Sequence, residues 1–156
     1  MAQTVIDDFD RALLELVQEN NLTPARQLAE KVGLSESAVL RRLRRLRKTG
    51  VIAKDVSIVR QSALGRPLTL IVLVSLNLES RSQVDAFVKR LTKRPETVNG
   101  WYVTGETDFV LLLHVQDMDE YVAFTEEVFL PDPHIKRFTT LVTMREIGST
   151  SAPSKS

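Results

Sequence analysis

Six of the eight residues from 41 to 48 are basic: Arg41, Arg42, Arg44, Arg45, Arg47 and Lys48. The other two, Leu43 and Leu46, follow Val39 at i+4 and i+7 and mark the buried face of a helix. Arg41, Arg42 and Arg45 point mainly away from that face. Like charges at i, i+3 and i+4 repel one another. No neighbouring acid in the sequence relieves them, so an external polyanion is the natural partner. Phosphate neutralisation releases counterions and drives salt-dependent binding. Arginine also takes guanine edges in bidentate fashion. Ser35, Ser37 and Ala38 stand at the N-terminal end, which in recognition helices enters the major groove. Lys54 follows on the expected wing. An isolated basic run is most often a solvated face, so the elements around this one decide its meaning.

A second constellation surrounds residues 101–108. Trp101 and Tyr102 precede Thr104, Gly105, Glu106, Thr107 and Asp108. Gly105 can adopt positive φ and let a ligand approach the backbone. Neighbouring amides can hold a carboxylate, and Asp108 or Glu106 can accept an ammonium group. Thr139, Thr140 and Thr143 offer hydroxyls, in part from a neighbouring subunit, and Phe138 and Trp101 can wall a side chain. That chemistry suits an amino acid. The same four residues, Gly105 to Asp108, also suit a simple turn in which Asp108 bonds the backbone. The residues alone leave both readings open.

Other chemistries find no assembled set. His114 and His134 are the two histidines, and neither has a carboxylate at helical ligand spacing. Glu126 and Glu127 read as a solvated helix face. No phosphate-binding glycine loop or nucleophile elbow occurs. No catalytic residue, metal ligand or cofactor is therefore expected. The alternative to a DNA-binding protein is a small-molecule enzyme or metabolite-binding module with an incidental basic helix.

The 156 residues can form one domain or two small ones. The net charge is only +1, but it is unevenly spread. Residues 1–60 carry eleven basic and eight acidic side chains, whereas residues 61–156 carry ten and twelve. Cysteine is absent, which removes disulfides and thiolate metal sites. The N-terminus does not read as a signal peptide, and no apolar run is long enough for a membrane helix. A cytoplasmic protein without membrane partners is expected.

Three helices come first. Asp7 or Asp8 caps the first, whose inner face is Phe9, Leu13, Leu16 and Val17. Thr23 and Pro24 start the second as N-cap and first-turn proline, and Gly33 ends it. Ser35 caps the third, which runs to about Lys48. Val51 with Ile52, and then 56–59, favour the two strands of a hairpin. This is the outline of a winged helix-turn-helix over residues 1–60. Residues 61–67, with Gly65 and Pro67, read as a linker. Beyond it the pattern alternates: strand 68–78, helix 82–93, strands 98–104 and 109–115, helix 118–129, strand 135–147. That β-α-β-β-α-β order is ferredoxin-like, so the fold class is α+β, with the second domain at 68–147. The tail, 148–156, is small and polar and is expected to be disordered.

These residues resemble a known family. Asp10-Arg11 with Leu13-Leu14, the stretch Leu28-Ala29-Glu30-Lys31-Val32-Gly33-Leu34-Ser35, then Leu40-Arg41-Arg42-Leu43 and Gly50-Val51-Ile52 are similar to the leucine-responsive/asparagine-type (Lrp/AsnC) regulators. Ala63-Leu64-Gly65 and Val103-Thr104-Gly105-Glu106-Thr107-Asp108-Phe109 match as well, the latter resembling the family's Gly-x-x-Asp effector loop. The resemblance spans about residues 5–147. It implies a prokaryotic transcription regulator that binds double-stranded DNA. It implies homodimers with facing sheets, assembling further to an octamer, and an amino-acid effector between dimers near Gly105 and Asp108. Two departures bear on operator sequence. Glu36-Ser37-Ala38 replaces a common Ser-Pro start, and Arg47-Lys48 stands where relatives often carry glutamate.

Overall fold

The computed structural model describes residues 5–77 and 80–145. The chain divides into two compact units, with the boundary between Ile58 and Val59.

The first unit holds α1 (Asp8–Glu19), α2 (Ala25–Val32) and α3 (Glu36–Lys48). Asp7 caps α1 through a capping box. Its carboxylate accepts the Asp10 N–H at 2.9 Å, and the Asp10 carboxylate accepts the Asp7 N–H at 3.2 Å. Thr23 does not cap α2. Its hydroxyl donates to the Asn20 carbonyl, and Pro24 itself occupies the N-cap position. Gly33 ends α2 at φ 72°, and the Ser35 hydroxyl accepts the Ala38 N–H to start α3. Leu13, Leu28, Ala29, Val39, Leu43 and Leu46 form the core. Burying each leucine or valine contributes about 1.5–3 kcal/mol, so the three helices hold one another in place. Phe9, expected inside, is instead half-exposed beneath the Arg42 guanidinium at 5.5 Å.

The expected hairpin wing is not formed. Among the described residues no strand lies between 51 and 60. Gly50 turns the chain back at φ 75°, and the Ile52 N–H donates to the Leu46 carbonyl. Val51 and Ile52 then close the core rather than pair with 56–59. Val56, Ile58 and Val59 remain exposed.

The second unit begins earlier than the expected linker. Residues Gln61–Leu64 form a 3-10 turn, and Arg66 donates to the Pro95 carbonyl at 2.7 Å. Then come β1 (Leu68–Leu76), α4 (Arg81–Leu91), β2 (Thr97–Tyr102), β3 (Phe109–Val115), α5 (Met118–Val128) and β4 (Ile135–Val142). The strands pair antiparallel in the order β2-β3-β1-β4, the ferredoxin-like arrangement. Strand alternation separates two faces. Leu70, Val72, Val74, Phe109, Leu111, Leu113 and Val115 pack with α4 and α5 in one core. The opposite parity, Ile71, Leu73, Val110 and Leu112, is only half-buried. Leu78 and Ile147, read as strand ends, and the tail 148–156 lie outside the described residues.

Candidate nucleic-acid interface and ligand loop

On α3, 100° per residue sets Ser37, Arg41, Arg44 and Lys48 in one stripe at i, i+4, i+7 and i+11. Val39, Leu43 and Leu46 are buried on the other side, so the stripe faces straight away from the core. All four stripe residues are exposed. Among the described residues Arg41, Arg44 and Lys48 make no ion pair.

The remaining arginines differ. Arg42 donates to Asp7 at 2.7 Å and to Asp10 at 2.9 Å. Arg45 also donates to Asp10, whose side chain is wholly buried. Arg47 forms a two-pronged pair with Asp55 at 2.7 and 3.1 Å. The expectation that no acid relieves the basic run is thus overturned. Asp7 and Asp10, at the N-cap and first turn of α1, are more than thirty positions away and are delivered by tertiary packing, while Asp55 lies only eight residues after Arg47, on the chain returning from Gly50. The Asp10 N–H and then the Arg42 guanidinium hold the Asp7 carboxyl below the usual aspartate range. Arg47 does the same to Asp55. The pairing of Asp7, Asp10 and Asp55 with α3 is not legible in the sequence. The capping-box spacing of Asp7 and Asp10 was visible there, but not which helix they face.

Ser35 and Ser37 lie at the exposed N-terminal end of α3, their hydroxyls 3.2 Å apart, with Ala38 half-buried beside them. Lys54 is exposed on the segment after α3, one residue before Asp55.

In the second unit the loop between β2 and β3 is tied to the end of β1. The Asp108 N–H donates to the Val74 carbonyl at 3.0 Å, and Asp108 Oδ2 accepts the Leu76 N–H at 2.7 Å. The Ser75 hydroxyl donates to the Glu106 carbonyl at 3.0 Å, and the Val103 N–H to the Asp108 carbonyl at 2.8 Å. Gly105 sits at φ 139°, a backbone position that disfavours any other residue. A Cβ there would meet only open space, so the requirement is conformational. Thr104, Gly105 and Glu106 are exposed, and Thr107 and Asp108 half-buried.

The sheet divides the other ligand candidates. Trp101 lies opposite Val110, Val110 opposite Leu73, and Leu73 opposite Thr139, all on the face without helices. Trp101 and Thr139 are three strand spacings apart, about 14 Å, too far to grip one small ligand within a chain. Tyr102 and Thr140 have the other parity. Tyr102 packs on Phe109 with ring centroids 5.0 Å apart, and the Thr140 hydroxyl bonds that of Tyr121 on α5. Burial pushes the Tyr121 hydroxyl pKa up, against the opposing hydrogen bond with Thr140. A cleft of about 350 Å³, absent from the sequence reading, lies between α4 and β2 beside Tyr102, with Val88, Leu91, Asn99 and Gly100 in its walls. Gly100 packs tightly in its wall, since a Cβ there would approach a Leu111 methyl to 3.0 Å. Among the described residues no group of three or more His, Asp or Glu side chains is placed to hold a metal ion.

Comparison with known proteins bears on both units. Residues 6–47 match the AsnC-type helix-turn-helix domain, and residues 69–153 match the Lrp/AsnC ligand binding domain. An HTH-type transcriptional regulator of Sinorhizobium fredii is 47% identical over 147 residues, covering 94% of this chain and 87% of that one. An AsnC family transcriptional regulator from Agrobacterium tumefaciens superposes with TM-score 0.86 at 26% identity, covering 96% and 97% of the two chains. A transcriptional regulator from Neisseria meningitidis, solved as a complex with L-Met, superposes with TM-score 0.87 at 25% identity and the same coverage.

Proposed function

The chain belongs to the Lrp/AsnC family of helix-turn-helix transcriptional regulators, and on that premise we propose how its two units divide the work. The stripe Ser37, Arg41, Arg44 and Lys48 meets DNA, with Ser35 and Ala38 at the helix entry and Lys54 on adjoining backbone. The carrying observation is that three cations of this stripe are exposed directly opposite the core and make no ion pair among the described residues. Ser37 and Arg41, nearest the N-terminus of α3, read base edges. Arg44 and Lys48 contact phosphate. Arg42, Arg45 and Arg47, placed on the same interface by sequence, are held by carboxylates.

The second unit serves self-association and ligand sensing. Its helix-free sheet face carries Ile71, Leu73, Val110 and Leu112 with exposed Trp101 and Leu141, a surface suited to a second copy. The effector is an amino acid, with its ammonium group on Asp108 or Glu106 and its carboxylate on loop amides near Gly105. The complex of the Neisseria meningitidis regulator with L-Met supports that ligand class. Dimers assembling further to an octamer fit the family resemblance, and a cytoplasmic location fits the function. The effector acts only as far as it discriminates between assembly states.

Duplex binding across a salt series tests the first part. Arg41→Ala with Arg44→Ala is expected to weaken binding at fixed salt by about 1–3 kcal/mol. Unchanged affinity removes the stripe from the interface. Thermal-shift screening against the amino acids tests the second part, since a ligand of the native state raises the melting temperature.

A further inference from the structure

Viewed down α3, the six cations fall into three sectors. Arg41, Arg44 and Lys48 occupy the middle one, opposite the core. Arg42 and Arg45 flank it on one side, where α1 supplies Asp7 and Asp10. Arg47 flanks it on the other, where the chain returning from Gly50 supplies Asp55. Each flank sums to zero formal charge: two acids against two arginines, and one against one. The Asp10 side chain is completely buried while Arg42 stays largely covered and stacked over Phe9. Each flanking guanidinium is therefore paired with at least one carboxylate within the protein. A buried carboxylate of this kind is weak evidence for stability, because apolar packing commonly does as well. Its lasting effect is on direction: Asp10 draws Arg42 and Arg45 toward α1, and the two-pronged Asp55 pair fixes where the Arg47 guanidinium points.

We propose that Asp7, Asp10 and Asp55 are positioning residues for DNA recognition, neutralising both flanks of α3 so that one narrow stripe carries the phosphate and base contacts. This rests on the DNA-binding reading above. Neutral flanks raise the cost of rotating α3 about its axis in the groove, because the rotated helix presents paired arginines instead of free ones. Without the three acids, six cations spread over more than half the helix circumference, and many rotational settings attract phosphate equally. The acids trade total attraction for a single register, which is how negative elements create specificity.

The test compares full-length wild type with Asp7→Asn, Asp55→Asn, Arg44→Gln and Arg47→Gln. Asp10 is left intact because its burial endangers folding. Asp7→Asn retains a good cap. Two duplexes are used, one of random sequence and one enriched from a random pool by the wild-type protein. The slope of log affinity against log salt counts phosphate contacts, about 0.9 per contact. Arg44→Gln is expected to lower the slope by about 0.9 per bound subunit, and Arg47→Gln to leave it near wild type. Asp7→Asn and Asp55→Asn are expected to steepen the slope on random duplex. They should also reduce several-fold the preference for the enriched duplex. A purely structural role would move stability but neither slope nor preference. Equal slope losses in Arg44→Gln and Arg47→Gln overturn the proposal, as do unchanged slope and preference in both aspartate variants. Wild type that binds neither duplex at low salt removes the DNA-contact reading itself, a distinct outcome.

Discussion

The Asp108 carboxylate accepts the backbone N–H of Leu76 at 2.7 Å, joining the loop after β2 to the last residue of β1. One carboxylate oxygen therefore has a structural task, and the other keeps lone pairs for a ligand. Asp108→Ala leaves the N–H of buried Leu76 without its acceptor. A stability loss of about 1–3 kcal/mol is expected in urea titration. Asp108→Asn keeps an acceptor oxygen and should cost less than half as much. It nevertheless removes the negative charge, so loss of any amino-acid effect in Asp108→Asn with the fold retained assigns the charge to the ligand. A retained effect assigns Asp108 to the loop alone.

Gly105→Ala tests the loop from the backbone side. At φ 139° an alanine is strained although its methyl meets nothing. The expected cost is about 1–3 kcal/mol in thermal or urea unfolding. A cost below half a kcal/mol would mean that the loop relaxes freely to another conformation.

The first unit should lose stability in acid. Asp7 and Asp55 both titrate below the ordinary aspartate value of 3.8 in the folded chain. A lowered folded pKa gives stability that is complete above the unfolded pKa and is lost as pH falls toward the folded one. Urea midpoints should thus be level above about pH 5 and fall below about pH 4. The double variant Asp7→Asn/Asp55→Asn should flatten part of that fall. An acid limb of the same size in the variant assigns it to other carboxylates.

The helix-free sheet face gives a fourth prediction. Leu73 and Leu112 project there from the two central strands, away from the packed core. Leu73→Glu is expected to leave the far-ultraviolet spectrum of the folded chain unchanged. Light scattering should show a smaller assembly, because a charge is then buried in an apolar interface. An unchanged mass would exclude this face from self-association.

Some of this molecule is legible in sequence because it is local. The i, i+4, i+7 spacing of Val39, Leu43 and Leu46 requires one buried helical face, and all three are buried. Ser35 as cap and Gly33 as stop follow from hydrogen bonding and backbone freedom within a few residues. The β-α-β-β-α-β order follows from the change of period along the chain, whereas β3, apolar at all but His114, shows its two faces only in the alternating burial of the folded strand. The charge run and the Gly105–Asp108 turn are visible for the same reason.

What tertiary structure decided is which distant groups meet. The sequence shows six cations on α3, with Asp7 at the N-cap and Asp10 in the first turn of α1 thirty-odd positions away. Only the packing of α1 on α3 sets Asp10 against Arg42 and Arg45, while Arg41, Arg44 and Lys48 make no ion pair among the described residues. The hairpin failed for a related reason. Val51 and Ile52 have strand propensity, but the turn at Gly50 delivers them to a helical core where burial gains more than a short ladder. Trp101 and Tyr102 are neighbours in sequence, yet the pleat sends one to the open face and the other against Phe109. Local spacing fixes periodicity and caps; pairing and burial across the chain fix which charges remain free and which faces remain open.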